Sequence, residues 1–335
     1  MPGADDPASI PFILCFDVEP DEIDVQLGPR PWLGFERLVE RVADLRAQLS
    51  DTTGRPARLN WFLRMDPQIA VSHGAPGWAA DRYGDALEAL RAAGDEIGVH
   101  PHAWRHVGGA ARWVADHGDA EWVDACIRMS FEAYELAFGR PCRSVRFGDR
   151  FFSSRAIALA ASLGARHDLT LEPGSPAMAR MHRAPATGRI PSMMGVPRYA
   201  YTALAADPLR PRPSSTTGPG VAIRMIPLTS LNPDPILPAW RRLARRVRHP
   251  GRDLHRPAGL FAEAWPPGRF WASVEAELEA AERPYLAFAV RSDVPLHAGL
   301  NAAFEDKLAA LLRRPLVKRL SFTTPDAVPV LPREP

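Results

Sequence analysis

Two acids close the first apolar run of this sequence, Phe12-Ile-Leu-Cys-Phe-Asp17-Val-Glu19. On an extended strand, residues two apart project to the same side, so Asp17 and Glu19 meet at one place. Two carboxylates ending a buried strand are costly unless a cation or hydrogen bonds offset their charge. Three of the ten histidines then fall together in Glu96-Ile-Gly-Val-His100-Pro-His102-Ala-Trp-Arg-His106, too tight a cluster to leave to chance. Imidazole is the commonest transition-metal ligand in proteins. His100 and His102 share a face if the strand runs on through Pro101, and His106 would come from the loop beyond it. A carboxylate plus two imidazoles leaves one coordination position open, the arrangement of a catalytic Zn2+ or a related divalent ion.

A third segment, Arg143-Ser-Val-Arg146-Phe-Gly148-Asp149, supplies a guanidinium. Beside a catalytic carboxylate such a group keeps it ionised and oriented. Gly148 lets the backbone approach a ligand closely or turn tightly. Charges also end other apolar runs: Arg64 and Asp66 after Trp61-Phe62, Asp168 before Leu169, and Arg291-Ser-Asp293. Of these, Arg64, Asp66, Arg291 and Asp293 are the candidates for binding a substrate. The basic run Arg241, Arg242, Arg245, Arg246 and Arg248 lies on a predicted helix with no aromatic residue interleaved for base stacking, and reads as a solvated face.

The elements that must position these groups alternate. Strands are expected at Phe12 to Val18, Arg58 to Met65, Glu96 to His100, Ser144 to Phe147 and Arg166 to Leu171. Helices fall between them: Leu38, Val42, Leu45 and Leu49 recur at helical spacing, and Tyr83 to Ala93, Ala120 to Phe138 and Ser153 to Leu163 follow. A Pro-, Ser- and Gly-rich excursion covers about 172–220. Strands then resume at Val221 to Leu228, Tyr285 to Val290 and Arg319 to Thr323, with helices near Ala239 to Val247, Arg269 to Glu282 and Leu300 to Leu312. Alternation of this kind builds βαβ units and a parallel sheet. The fold class is α/β, a distorted (β/α) barrel of about seven parallel strands with a long Pro-rich insertion after the fifth. It forms a single domain over residues 10–335. Barrel enzymes place their chemistry at the carboxyl ends of the strands, where Asp17, Glu19, His100 and Arg146 fall. No Gly-x-Gly turn follows the first strand, which argues against a dinucleotide site.

The net charge of +2 gives no global field toward nucleic acid or a membrane surface. No stretch approaches the ~18 apolar residues of a membrane span. With no apolar leader before the first strand, the expected compartment is the cytoplasm. Cys15, Cys126 and Cys142 are odd in number and follow no framework spacing, so buried free thiols are expected.

Asp17-Val-Glu19, Glu96-Ile-Gly-Val-His100, Arg146-Phe-Gly148 and the closing Leu320-Ser-Phe-Thr-Thr-Pro-Asp326 resemble, in order and spacing, the polysaccharide deacetylase-like group (NodB homology, carbohydrate esterase family 4 type). The resemblance implies one divalent metal, with Asp17 as general base, Glu19 as ligand where relatives usually carry Asp, His100 as ligand and Arg146 bracing the base. Two departures stand out. The family's second metal histidine lies four residues after the first, where this chain has Trp104; His102, closer along the strand than His106, is the preferred substitute. The late-strand general-acid histidine is replaced by Arg291, and His297 lies a few residues beyond. The implied reaction is metal-assisted hydrolysis of a C–N bond, an N-acetyl group on a sugar or glycan precursor, with Zn2+ as the metal. The substrate would be a small molecule or oligosaccharide. The alternatives are a binding protein without turnover on the same barrel, or a hydrolase of a non-sugar amide.

Overall fold

Strand β1 (Ile10–Val18) is buried on both faces in the computed structural model, which is why its sequence reads as an unbroken apolar run. The structure describes residues 9–21, 31–108, 112–180, 185–213, 223–232, 255–281 and 284–330, with Trp240, Ala244 and Val247 between them. The basic run from Arg241 to Arg248 therefore lies outside the described residues.

After β1 come α1 (Leu33–Thr53), β2 (Asn60–Leu63), α2 (Pro67–His73), α3 (Trp78–Arg82), α4 (Gly84–Ala92) and β3 (Glu96–Val99). A hairpin, β4 (Trp104–Val107) and β5 (Arg112–Asp116), precedes the long helix α5 (Ala120–Phe138). Then follow β6 (Ser144–Val145), α6 (Ser154–Ser162) and β7 (His167–Asp168). Among its described residues the excursion after β7 holds short pairings, β8 (Ala186–Thr187) and β9 (Tyr201–Thr202), before β10 (Arg224–Met225), β11 (Ser230–Leu231) and β12 (Arg256–Pro257). Helix α7 (Pro267–Ala280), β13 (Leu286–Arg291), α8 (Ala298–Leu312) and β14 (Leu320–Phe322) complete the described chain.

One curled sheet carries β13-β1-β2-β3-β6-β7-β10-β9 in that order, and β14 adds to the start of β1. Every pairing in it is parallel except β10 with β9. The half-barrel this makes is the distorted (β/α) barrel expected, with seven parallel strands in the row. The chain leaving β10 narrows the remaining gap: Thr229 N donates to the Ala287 carbonyl at 2.8 Å, and Ala287 N donates to Thr229 Oγ1 at 2.9 Å. Phe12, Leu14, Phe16 and Val18 pack with the helices, while Ile13 and Cys15 join Phe62, Leu169, Ile226 and Ala287 inside the curl. All three cysteines are free and buried. No helix among the described residues is long and apolar enough to cross a membrane.

The hairpin, β8 beside it and the short helices α2 and α3 go beyond the sequence reading. The β4–β5 segment was readable as two β-prone runs around Gly108-Gly109. Helix α2 announces itself by Asp66-Pro67: Asp66 accepts from Gln68 N at 3.0 Å and Pro67 opens the helix.

Candidate active site and metal centre

Parity along β1 decides what reaches the mouth of the barrel. Ile13 and Cys15 face the interior cluster, and Asp17 and Glu19 continue that face to the carboxyl end of the strand. Both acids are buried, at 5% and 4% exposure, so neither relies on water to carry its charge. Arg146 grips Asp17, its Nε lying 2.8 Å from Oδ1 and 3.1 Å from Oδ2. Arg146 Nη1 donates to the Leu169 carbonyl at 2.9 Å, which fixes the guanidinium in place. Burial alone would push the Asp17 carboxyl up; Arg146, then His100, outweigh it and hold the carboxyl below the usual carboxylate range. Glu19 is treated the same way, with Arg291 foremost against burial, then His102, His100 and Arg64. Arg291 Nη1 sits 2.8 Å from Glu19 Oε1, and Arg64 Nη1 3.8 Å from Oε2.

Strand β3 ends at Val99, before the histidines, yet both rings turn into the same space. His100 Nδ1 lies 2.7 Å from the Arg146 carbonyl, which can only accept. Nδ1 therefore carries the proton and Nε2 keeps a lone pair. Burial pushes His100 down to about 4, so the ring is neutral at ordinary pH. His102 Nε2 is 3.1 Å from His100 Nε2 and 3.6 Å from Glu19 Oε2. Its Nδ1 has two neighbours, Asp149 Oδ2 at 3.2 Å and the Trp104 indole N–H at 3.0 Å. Gly148 gives the ring its room, since a Cβ there would lie 2.0 Å from the His102 ring atoms. Asp149 and Arg150 follow in the left-handed region, at φ 51° and 55°. For side-chain-bearing residues that costs roughly 1–2 kcal/mol each, so the surrounding packing must hold this turn open.

Glu19, His100 and His102 fit a divalent ion. Their ligand atoms lie within 4.8 Å of one another. A tetrahedral Zn2+ with bonds near 2.0–2.1 Å sets neighbouring ligand atoms roughly 3.3 Å apart; the two distances from His102 Nε2 are 3.1 and 3.6 Å, and Glu19 lies within 4.8 Å of His100. Two Nε2 atoms 3.1 Å apart need either a proton on one of them or a cation shared by both. Charge points the same way. Asp17, Glu19, Asp66, Asp149, Glu172 and Asp293 are six carboxylates, against the four guanidiniums of Arg64, Arg146, Arg150 and Arg291. That excess of two negative charges is what a divalent cation balances.

The other expected residues divide. Arg64 pairs with Asp66 at 2.7 Å and Arg291 with Asp293 at 3.0 Å, so two ion pairs flank Glu19. Arg291 lines a cavity of about 300 Å³ together with Asp17, Glu19, His100, His102 and Arg146. Arg64, Asp66 and Asp293 stand behind that lining; Asp66 also accepts the His102 backbone N–H at 3.0 Å. His106 lies on β4 with its ring against Trp113, outside the cavity lining. His297 is half exposed, its Nε2 3.4 Å from Asp293 Oδ2. Asp168 is buried and bonded by Thr170 rather than open to the cavity. Sequence reasoning missed Arg150 and Glu172, paired at 3.3 Å, and the opposite wall of Leu228, Pro257, Ala258 and Phe261. Apart from Leu228, which ends an expected strand, these come from irregular segments with no periodicity to betray them.

No family model matches the sequence, and no curated protein does. Solved structures do match by shape. A Parabacteroides distasonis protein provisionally named a glycoside hydrolase/deacetylase aligns over 95% of this chain and 70% of its own, with a TM-score of 0.58 and 13% identity. Puue allantoinase aligns over 97% of this chain and 90% of its own at 14% identity, with a TM-score of 0.49. A provisionally named polysaccharide deacetylase from Mycobacterium smegmatis aligns over 96% and 89% at 14% identity, with a TM-score of 0.45. The chain has a polysaccharide deacetylase-like fold.

Proposed function

We propose that the protein is a divalent-metal-dependent hydrolase of a C–N bond, acting on a small amide such as the N-acetyl group of a sugar or glycan precursor. One observation carries this reading: Glu19 and two imidazole Nε2 atoms converge beside an ionised Asp17 that is bound to Arg146. The Parabacteroides protein of the same fold bears a deacetylase name, in keeping with that chemistry. Glu19, His100 and His102 would hold the metal, Zn2+ by their nitrogen and oxygen donors and their spacing. A bound divalent ion supplies Lewis acidity to a carbonyl oxygen and acidifies water.

The chain's own groups do the rest. Asp17, held deprotonated by Arg146, accepts a proton from the attacking water and returns it to the departing nitrogen, so one carboxylate serves both transfers. Arg291 stands where relatives carry an acid histidine, but two carboxylates hold it firmly protonated, so it offers charge rather than a proton. It steadies negative charge growing near Glu19.

The far wall favours one small substrate, and a second reading in which the amide is not carried by a sugar. Leu228, Pro257, Ala258 and Phe261 present apolar surface there. The two excursions close on each other beside it, where a Cβ on Gly174 would lie 2.2 Å from the His255 carbonyl. The test compares zinc-loaded protein on N-acetylglucosamine, an N-acetyl amino acid and a chitin oligomer. Turnover of a small amide, lowered by about 10²–10⁴ in Asp17→Asn with zinc affinity retained, is expected. Zinc binding without hydrolysis of any of them would leave a binding protein and sink the hydrolase.

A further inference from the structure

We propose that Asp149 is a positioning residue that sets the tautomer of His102, and so decides whether its Nε2 is free to take a metal. The inference rests on the metal-centre reading above and adds a control that the three ligands alone do not show. His102 Nδ1 faces two neighbours with opposite demands. Asp149 Oδ2, at 3.2 Å, can only accept, and needs a proton on Nδ1. The Trp104 indole N–H, at 3.0 Å, can only donate, and needs a lone pair there.

In the neutral ring each choice fixes the other end. If Trp104 donates to Nδ1, the proton sits on Nε2 and points at the His100 Nε2 lone pair 3.1 Å away. A chain of hydrogen bonds then runs from Trp104 through His102 and His100 to the Arg146 carbonyl, and the metal position is closed. If His102 donates from Nδ1 to Asp149, its Nε2 lone pair and that of His100 both turn to the ion. The proton leaves Nε2 and one arrives at Nδ1, so the ring itself changes no charge. Metal binding selects the second arrangement, and Asp149 is what makes it available.

The local backbone is built for this contact. Gly148 admits the ring where a Cβ would collide at 2.0 Å, and Asp149 holds the left-handed φ of 51° that aims its carboxylate at Nδ1. The arrangement also gives Trp104 a purpose: its indole is the lock that Asp149 opens.

Two substitutions of opposite expected sign test it, read by Zn2+ affinity in chelator competition and by the ¹⁵N shifts of the His102 ring with and without Zn2+. Asparagine tolerates the left-handed backbone, so Asp149→Asn keeps the turn. It should weaken zinc binding roughly 10- to 100-fold, the usual loss for an outer partner of a metal histidine, and shift the Nδ1 resonance of the zinc-bound ring, whose N–H loses its carboxylate acceptor. Trp104→Phe removes the lock: the form protonated on Nε2 loses the donor to its Nδ1, and zinc should bind more tightly than in wild type. A merely structural role would weaken zinc binding in both. Unchanged affinity and an unmoved Nδ1 resonance in Asp149→Asn would overturn the proposal while leaving the metal centre intact. A wild-type protein that binds no Zn2+, with the ring still answering to both substitutions, would remove the metal and keep the positioning role.

Discussion

Two polar clusters, each built around a buried histidine, occupy opposite ends of the same strands, and only one has the makings of a site. At the amino end, Ser144 Oγ donates to Glu96 at 2.7 Å and lies 3.3 Å from His167 Nδ1, while His167 Nε2 is 3.3 Å from Asp326. Serine, histidine and aspartate in succession suggest a nucleophile and its base. Ser144, however, is fully buried, and its hydroxyl is already committed to Glu96. Arg143 meets Asp326 at 3.1 Å, so the outer carboxylate is neutralised as well. At the carboxyl end, carboxylates outnumber guanidiniums, two ring nitrogens confront each other, and the group opens onto a cavity. Buried polarity is common to both. What separates them is an imbalance of charge and donors that faces space a ligand can enter.

Substituting one acid at each end breaks or upholds that contrast, and the mouth should give the larger effect. Glu19→Gln keeps the shape and removes the charge. Zinc affinity should fall by more than the roughly 10- to 100-fold typical of losing an outer partner, because a ligand itself is weakened. Glu96→Gln at the other end should leave zinc affinity unmoved. Chelator competition measures both, and equal losses would mean that the two ends are not functionally distinct.

Asp168 lies on β7 between the two clusters and carries the next effect. It is fully buried, and its carboxylate accepts from Thr170 N at 3.1 Å and Thr170 Oγ1 at 2.8 Å. Burial pushes it up to about 7, with Thr170 and Arg146 opposing only in part. In the unfolded chain its carboxyl titrates near 3.9, so the folded state holds the proton more tightly. The stability this gives is complete below about pH 4 and is lost as pH rises through about 7. Asp168→Asn is neutral throughout and escapes that loss. Its stability relative to wild type should therefore improve from pH 5 to pH 8, by on the order of 2 kcal/mol. Urea unfolding at the two pH values measures it. A difference independent of pH would show that Asp168 is paired after all, as the mouth carboxylates are.

How much of this was legible in the sequence follows from how each part is held. Regular elements write a period into the chain: α5 falls on the expected Ala120–Phe138, and β1 was plain because burial on both faces demands an unbroken apolar run. Parity then brought Asp17 and Glu19 to one face without any structure. His100 and His102 were singled out by residue type, although the reason they meet was not the one expected. The strand stops at Val99, and the rings converge because Arg146 and Gly148 shape the space around them. Tertiary contacts of that kind leave no local mark. The roles of Arg64, Asp66 and Asp293 as a brace around Glu19, and the wall from Pro257 to Phe261, were hidden for the same reason.

The smallest expected effect sharpens the comparison most. Ser144→Ala removes the hydroxyl that links Glu96 to His167 and leaves both without it in a buried place. Losing one such bond costs about 1 kcal/mol, somewhat more where the partners stay desolvated. The protein should lose that much in urea unfolding and keep its zinc affinity and its rate of amide hydrolysis. A nucleophilic serine would behave oppositely, since its removal abolishes turnover and barely touches stability. One variant thus separates a cluster that holds strands together from one that meets a substrate. A loss of turnover in Ser144→Ala would move the chemistry to the wrong end of the barrel.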